Sequence, residues 1–229
     1  MKKTLLGLFV AALFSGHVAA ADPAPASAAS VPQAAASAPA APASPASAAA
    51  ALPQAPQIAA TAFVIQDLQS GQVLAGKDLN APVEPASLTK LMTAYIVFDA
   101  LKSGKISMDQ TFGVSEKAWK MPGSRMFIQP GQLVRVEDLL KGLIVQSGND
   151  ACVALAEAIA GNEEVFAEMM NREAQRLGMK STSFRNAAGM PDPQHYTTAR
   201  DLAKLAGALI RDFPEDYAKY YSIKEFRYN

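Results

Sequence analysis

Two short motifs place hydroxyl, amine and amide side chains at spacings that suit acyl transfer. Ser87-Leu88-Thr89-Lys90 is the only Ser-x-x-Lys in the chain, and Ser147-Gly148-Asn149 is the only Ser-x-Asn. Residues three apart on a helix share a face, so a helix that begins at Ser87 sets the Lys90 amine beside the Ser87 hydroxyl. A serine with an adjacent base is an activated nucleophile. Ser87 is therefore the candidate nucleophile and Lys90 its candidate base.

The first motif is predicted to begin a central helix over residues 87–101, because this segment is apolar nearly all round. The free N–H groups and positive dipole end of that helix favour negative charge developing at Ser87. Desolvation within the helix is expected to lower the pKa of Lys90, so that the amine can accept a proton. The predicted buried face consists of Leu88, Leu91, Met92, Tyr95 and Phe98.

The second motif lies in a predicted break between two helices. Apolar residues at helical spacing predict one helix over Val136 to Gln146, and Asp150 is predicted to cap the next, which Gly161 closes. Side chains in such a break can project into a cleft. From there Ser147 can relay a proton toward the leaving group, and Asn149 can hydrogen-bond both Lys90 and a substrate amide.

Other segments supply the remaining predicted framework, and no internal repeat is found. Turn residues, alternation and capping patterns define each of them. They are a strand over Thr61 to Leu68 with a return strand from Val73, a helix from the Asn162 cap to Gly178, a turn-rich loop over residues 186–197, a helix from Thr198 to Ile210, and the start of a strand at Lys224.

The N-terminal third of the chain is predicted to be processed or extended. Residues 1–20 resemble a secretory signal peptide, with Lys2 and Lys3 before a short apolar run; a retained signal anchor is the alternative. Residues 21–56 are almost wholly Ala, Pro, Ser and Gln, which favours a flexible linker. The folded domain is therefore predicted over residues 57–229, in an exported protein.

Composition excludes several classes of function. The 21 basic and 21 acidic residues balance, so nothing favours a nucleic-acid partner. Cys152 is the only cysteine, which rules out an internal disulfide and favours a small buried hydrophobe. His195 is the only histidine after the signal segment, so no metal site built from several histidines is expected. A Ser-His-Asp triad would depend wholly on His195.

Longer matches around both motifs resemble the low-molecular-mass penicillin-binding proteins, the serine D-alanyl-D-alanine carboxypeptidases of the peptidase S11 family. The matching segments are Pro85-Ala86-Ser87-Leu88-Thr89-Lys90 and Gln146-Ser147-Gly148-Asn149-Asp150-Ala151-Cys152, with Thr197 to Asp201 and the loop Gly189 to Asp192 similar as well. The resemblance implies an α+β, penicillin-binding protein/β-lactamase-like fold, with a helical subdomain packed on an antiparallel sheet.

The resemblance also implies roles for the motif residues. Ser87 is the implied acylated nucleophile and Lys90 its proton acceptor, while Ser147 and Asn149 form the second wall of the cleft. The implied substrate is a peptidoglycan stem peptide that ends in D-Ala-D-Ala, the implied inhibitors are β-lactams, and no cofactor is expected. The implied location is the periplasm.

The chain departs from the family pattern in one respect, because it contains no Lys-Thr-Gly. In the family this motif lies on a later sheet strand, so the later strands are expected to be missing from a C-terminally truncated chain. Such a chain is expected to fold poorly and to be inactive, and the Thr61 hairpin would keep an unpaired edge. A missing segment could also provide peripheral association with the inner membrane.

Four alternatives remain open at this point. A class A β-lactamase needs a deacylating Glu after the second motif, and no Glu occurs between Glu173 and Glu215. An endopeptidase that cuts cross-linked peptidoglycan shares the motifs. The absent Lys-Thr-Gly favours an inactive peptidoglycan-binding fragment, although Ser87 and Lys90 are intact. A hydrolase that uses His195 is the fourth.

Overall fold

The elements that position the two motifs are helices, with four short strands beside them. A computed structural model describes residues 59–228, so the predicted signal peptide, the linker and the domain boundary at residue 57 lie outside the described residues. The elements in chain order are β1 (Phe63–Gln66), β2 (Val73–Lys77), α1 (Lys90–Lys102), β3 (Thr111–Gly113), α2 (Glu116–Trp119), β4 (Leu133–Arg135), α3 (Val136–Val145), α4 (Asn149–Ala160), α5 (Glu163–Arg176), α6 (Ala199–Asp212) and α7 (Pro214–Tyr220).

The strands form two small antiparallel sheets. β1 pairs with β2, as the sequence predicts, and the tight turn between them is held by the Asp67 carboxylate, which accepts hydrogen bonds from the Ser70 N–H and hydroxyl. β3 pairs with β4, with Phe112 opposite Val134. This second sheet is not predicted, because three-residue strands are too short to show alternation.

Helix α1 lies at the centre of the described fold, as its composition predicts. It contacts α3, α4, α5 and α6, and Met92, Val97 and Phe98 are fully buried. Leu88 is an exception, because it belongs to the turn before α1 and is 53% exposed. It lines a groove of about 710 Å³ between β1 and α6.

Two of the three predicted helix caps are confirmed. The Asn162 side chain accepts from the Val165 N–H at 2.8 Å, and the Thr198 hydroxyl accepts from the Asp201 N–H at 3.2 Å. The predicted cap at Asp150 is wrong, because Gly148 is the N-cap of α4 and Asp150 lies inside the first turn. There its carboxylate can stabilise the positive end of the helix while bonding elsewhere.

The C-terminal part differs from the prediction in two places. Residues 224–228 form no strand, contrary to the expected alternation. Pro214 ends α6, as predicted, but it also opens α7 as the first residue of that helix, a position where its missing N–H costs nothing.

The described residues thus have the predicted α+β architecture, rich in helices and with small antiparallel sheets. None of the helices described between residues 59 and 228 is both long and apolar enough to cross a lipid bilayer. The next question is how this framework places the two motifs.

Candidate active site

Ser87 lies in a tight turn rather than in the helix that the sequence predicts. Residues Ala86–Thr89 form one 3-10 turn, and α1 begins at Lys90. The turn nevertheless brings the two side chains together, with Lys90 Nζ 3.2 Å from Ser87 Oγ. Ala86 has a φ of 45°, a left-handed conformation that costs an alanine free energy and must be held by its surroundings.

Lys90 is a buried amine that has no acidic partner among residues 59–228. Its side chain is 5% exposed, and it donates to the Ala188 carbonyl at 2.8 Å as well as to Ser87. Within residues 59–228 no carboxylate forms a salt bridge with it. Burial lowers the pKa of Lys90, because an ammonium group loses its hydration there. The neutral amine that a base requires is therefore favoured.

Cys152 does not oppose this effect at neutral pH. The thiol is fully buried on α4, as predicted, and burial raises its pKa to about 12. Cys152 is therefore an uncharged thiol near pH 7. Its thiolate form would stabilise a positive charge on Lys90, but the neutral thiol does not.

Ser147 faces Ser87 across the site. Its Oγ donates to Ser87 Oγ at 3.2 Å, and its φ of 54° is again left-handed. This conformation ends α3 and directs the chain into α4, while the Gly148 N–H bonds to the Gly142 carbonyl at 2.9 Å. The break between helices thus sets the second hydroxyl beside the first, where the sequence predicts it.

Asn149 does not form the predicted hydrogen bond with Lys90. Its Nδ2 instead donates to the Pro122 carbonyl at 2.6 Å and lies 3.7 Å from Met190 Sδ. Its backbone N–H bonds to the Ser124 carbonyl at 2.7 Å. Asn149 therefore ties the segment after α2 to the start of α4.

Asp150 is a site-supporting residue that the sequence analysis treats only as a cap. Its buried carboxylate accepts from the backbone N–H groups of Met126, Phe127 and Ile128 at 3.0, 2.9 and 3.3 Å. Phe127 is left-handed, with a φ of 64°. An acidic residue directly after Asn149 was the only sign of this role in the sequence. The sequence could not indicate its partners, because they lie 22 to 24 residues away.

Gly189 allows a second loop to lie against the Ser87 turn. Its φ is 81°, and a Cβ built on it would lie 1.8 Å from the Ala86 carbonyl oxygen. The Asn186 side chain accepts from the Gly189 and Met190 N–H groups at 2.8 Å each. Only a glycine satisfies both the close approach and the backbone angle. The same loop supplies the Ala188 carbonyl that Lys90 contacts.

His195 does not act on Ser87, which excludes the Ser-His-Asp alternative. Its Nε2 lies 2.8 Å from Thr89 Oγ1, and its Nδ1 accepts from the Arg185 N–H at 3.1 Å. Both ring nitrogens are thus occupied. Asp192, in the predicted turn-rich loop, completes a turn by accepting from the Gln194 N–H at 2.7 Å. Within residues 59–228 no cluster of His, Cys, Asp or Glu could hold a metal ion.

Chemically, the arrangement is a serine hydroxyl that contacts a buried amine of lowered pKa on one side and a second hydroxyl on the other. The amine of Lys90 and the hydroxyl of Ser147 can take up the proton of the attacking Ser87 oxygen and return a proton to a leaving group.

Comparison with known proteins identifies the family of the chain. The family model of the peptidase S11 family, described as D-alanyl-D-alanine carboxypeptidase, matches residues 49–229. The match starts inside the segment predicted as a linker. The chain is 45% identical over 178 residues to the D-alanyl-D-alanine carboxypeptidase DacC of Escherichia coli strain K12, an alignment that covers 75% of this chain and 44% of that protein.

Solved structures agree in fold. Penicillin-binding protein 5 of Haemophilus influenzae superposes with a TM-score of 0.74 at 45% identity, over 77% of this chain and 52% of that one. Ampicillin-bound penicillin-binding protein D2 of Listeria monocytogenes superposes with a TM-score of 0.65 at 26% identity, over 72% and 67%. The chain spans less than half the length of the curated relatives it matches.

Proposed function

Because the chain belongs to the peptidase S11 family of D-alanyl-D-alanine carboxypeptidases, we propose that it removes the terminal D-alanine from peptidoglycan stem peptides through an acyl-enzyme on Ser87. The contact of Ser87 Oγ with both Lys90 Nζ and Ser147 Oγ, each at 3.2 Å, is the observation that carries this proposal. The predicted helix start and the predicted helix break thereby meet at one oxygen atom.

The acylation step follows from these contacts. Neutral Lys90 takes the proton of Ser87 as its oxygen attacks the carbonyl carbon of the penultimate D-alanine. The other hydrogens of the amine keep the bond to Ala188, which holds the lone pair toward Ser87. The positive end of α1 stabilises negative charge that develops beside the Ser87 turn.

Departure of the terminal D-alanine requires a proton on its nitrogen. The Ser147 hydroxyl lies 3.2 Å from Ser87 Oγ, so it can pass the proton that Lys90 has taken to the leaving amine as the peptide bond breaks. The products are an ester on Ser87 and free D-alanine. Water then attacks the ester and gives one proton to Lys90, which passes it to the Ser87 oxygen as the ester bond breaks. The shortened stem peptide leaves as a carboxylate after losing the second water proton to solvent.

Asn149 is proposed to bind the substrate. Its Nδ2 already donates to Pro122, so the amide oxygen is the atom left to accept from a substrate N–H. This differs from the sequence-based expectation, in which the same side chain also holds Lys90. Its near-complete burial, at 8% exposure, gives that oxygen a fixed position.

β-Lactams are proposed inhibitors, because a relative is known with ampicillin bound and because a strained cyclic amide can acylate the same serine. Fast hydrolysis of such an ester is not expected, since no Glu occurs between Glu173 and Glu215. The proposed location is the periplasm, reached through the predicted signal peptide. Peripheral association with the inner membrane is a further proposal, which the described residues do not address.

The test is release of free D-alanine from a peptide that ends in D-Ala-D-Ala, measured for the full-length protein and for Ser87→Ala. Release by the wild-type protein alone is expected. A matched assay with cross-linked muropeptide dimers measures endopeptidase action, the second candidate function that the same motifs serve. Equal release by Ser87→Ala, or no release of D-alanine at all, would contradict the carboxypeptidase proposal. Cutting of dimers without release of D-alanine would favour the endopeptidase, and absence of both reactions would favour the inactive peptidoglycan-binding fragment that the absent Lys-Thr-Gly predicts.

A further inference from the structure

We infer that His195 is a positioning residue that holds the Ser87 turn through Thr89. This inference rests on the proposed function, because it concerns the orientation of the proposed nucleophile. The Thr89 hydroxyl and the His195 ring are both buried, at 0% and 2% exposure, and their contact joins positions 106 residues apart in the chain. Thr89 ends the 3-10 turn that carries Ser87.

The hydrogen bonds specify which form of the imidazole is present. A backbone N–H can only donate, so the Arg185 N–H requires an unprotonated Nδ1 in His195. Nε2 then carries the hydrogen of the neutral ring and donates it to Thr89 Oγ1 at 2.8 Å. A protonated ring would set two donors against each other at Nδ1. Only neutral His195 can therefore make both contacts.

The turn needs this support because its backbone is strained. Ala86 is left-handed, with a φ of 45°, and such a conformation persists only where neighbours hold it. The loop packs against the turn at Gly189, where an added Cβ would lie 1.8 Å from the Ala86 carbonyl oxygen and 2.8 Å from Thr89 Oγ1. His195 bonds to that same hydroxyl. Contact from the glycine and hydrogen bonding from the histidine thus fix Thr89, two residues from Ser87.

Burial favours the neutral form of the ring, and the charges around it oppose this effect. Burial lowers the pKa of His195, while Asp192 on its own loop and Glu84 before the Ser87 turn act in the opposite direction. These are the charged groups that face the ring. The Phe184 ring packs edge-on against it at 5.7 Å, and the Arg185 side chain is exposed.

The experiment measures the rate of acylation by a fluorescent penicillin from pH 5 to pH 8, with the full-length wild-type protein, His195→Gln, His195→Phe and Thr89→Val. His195→Phe is expected to slow acylation about tenfold or more, because small displacements of a reacting group are costly. His195→Gln can still donate to Thr89, so it is expected to stay within about threefold of wild type. Thermal melts of each variant separate misfolding from misplacement.

Two further readouts distinguish positioning from general support. Protonation of Lys90 slows the wild-type protein and His195→Gln alike, so the ratio of the His195→Gln rate to the wild-type rate reports only on the protonation of His195. This ratio is expected to rise as the pH falls below about 6.5, because only the wild-type protein then loses the neutral ring. The double variant Thr89→Val with His195→Phe is expected to be no slower than the slower single variant, because both remove one contact.

The outcomes distinguish failure of the inference about His195 from failure of the proposed function. A flat ratio across the pH range, additive losses in the double variant, or His195→Phe that acylates at the wild-type rate would overturn the role of His195 while leaving the proposed function standing. A well-folded wild-type protein that takes up no penicillin would overturn the proposed function, and the inference with it.

Discussion

Replacing Gly189 with alanine tests how closely the loop must approach the Ser87 turn. A Cβ at this position would lie 1.8 Å from the Ala86 carbonyl oxygen, and real Cβ contacts essentially never fall below 3.0 Å. The loop and the turn must therefore separate by more than 1 Å. Because Gly189 follows the residue whose carbonyl holds Lys90, that separation also moves the proposed base relative to Ser87.

The magnitude follows from two costs. An alanine at a φ of 81° loses about 1–2 kcal/mol of stability relative to glycine, because its Cβ crowds the following carbonyl. Overpacking against the Ala86 backbone adds about 1–3 kcal/mol. A displacement of about 1 Å at the reacting groups slows acylation on the order of 100-fold. Denaturant unfolding measures the loss of stability, and time-resolved labelling by fluorescent penicillin measures the rate of acylation.

Gly161→Ala is the matched control. Gly161 has a φ of 84°, yet a Cβ there meets nothing within 4 Å, so only the backbone cost of about 1–2 kcal/mol is expected. Acylation by this variant should match wild type. The reasoning is refuted if Gly189→Ala is acylated at the wild-type rate, or if both glycine variants lose stability equally.

Two further substitutions examine the groups around the site. Asp150→Asn leaves an amide in place of a carboxylate that accepts four backbone N–H groups, including that of Ala151, so denaturant unfolding should show a loss of about 3 kcal/mol. The control is Asp109→Asn, whose side chain is 89% exposed beside Arg135 and which should cost less than about 1 kcal/mol. Equal losses would contradict the role of Asp150. The rate of acylation should rise with pH through an apparent pKa below 10.5, since burial lowers the pKa of Lys90. Lys90→Arg should remove acylation at every pH, because a guanidinium stays charged. An active Lys90→Arg variant would show that Lys90 is not the proton acceptor.

The sequence predicted the local partners of the site better than the distant ones. Ser87 and Lys90 meet although the segment is a 3-10 turn and not a helix, because both geometries keep residues three apart on one side. The break at Ser147 was signalled by the loss of apolar periodicity. In contrast, the role of His195 depends on Thr89, which is 106 residues away, and no pattern in a single sequence indicates a pair so far apart.

Sequence reasoning also failed where one residue had two possible partners. Asn149 was expected to bond to Lys90, but it binds the Pro122 carbonyl, because the segment after α2 folds back over the start of α4. Aspartate is a residue type typical of helix N-caps, yet Asp150 accepts hydrogen bonds from the N–H groups of that same segment. Both errors concern a loop whose position is set by tertiary contacts rather than by local preference.

The central claim is that Ser87 is the nucleophile, and mapping the site of acylation by penicillin tests it most directly. The full-length protein is incubated with a β-lactam, digested, and analysed by mass spectrometry alongside Ser87→Ala and Ser147→Ala. The account predicts one adduct, on the peptide that contains Ser87, absent in Ser87→Ala and formed more slowly in Ser147→Ala. An adduct on any other residue, or an adduct that persists in Ser87→Ala, would contradict it.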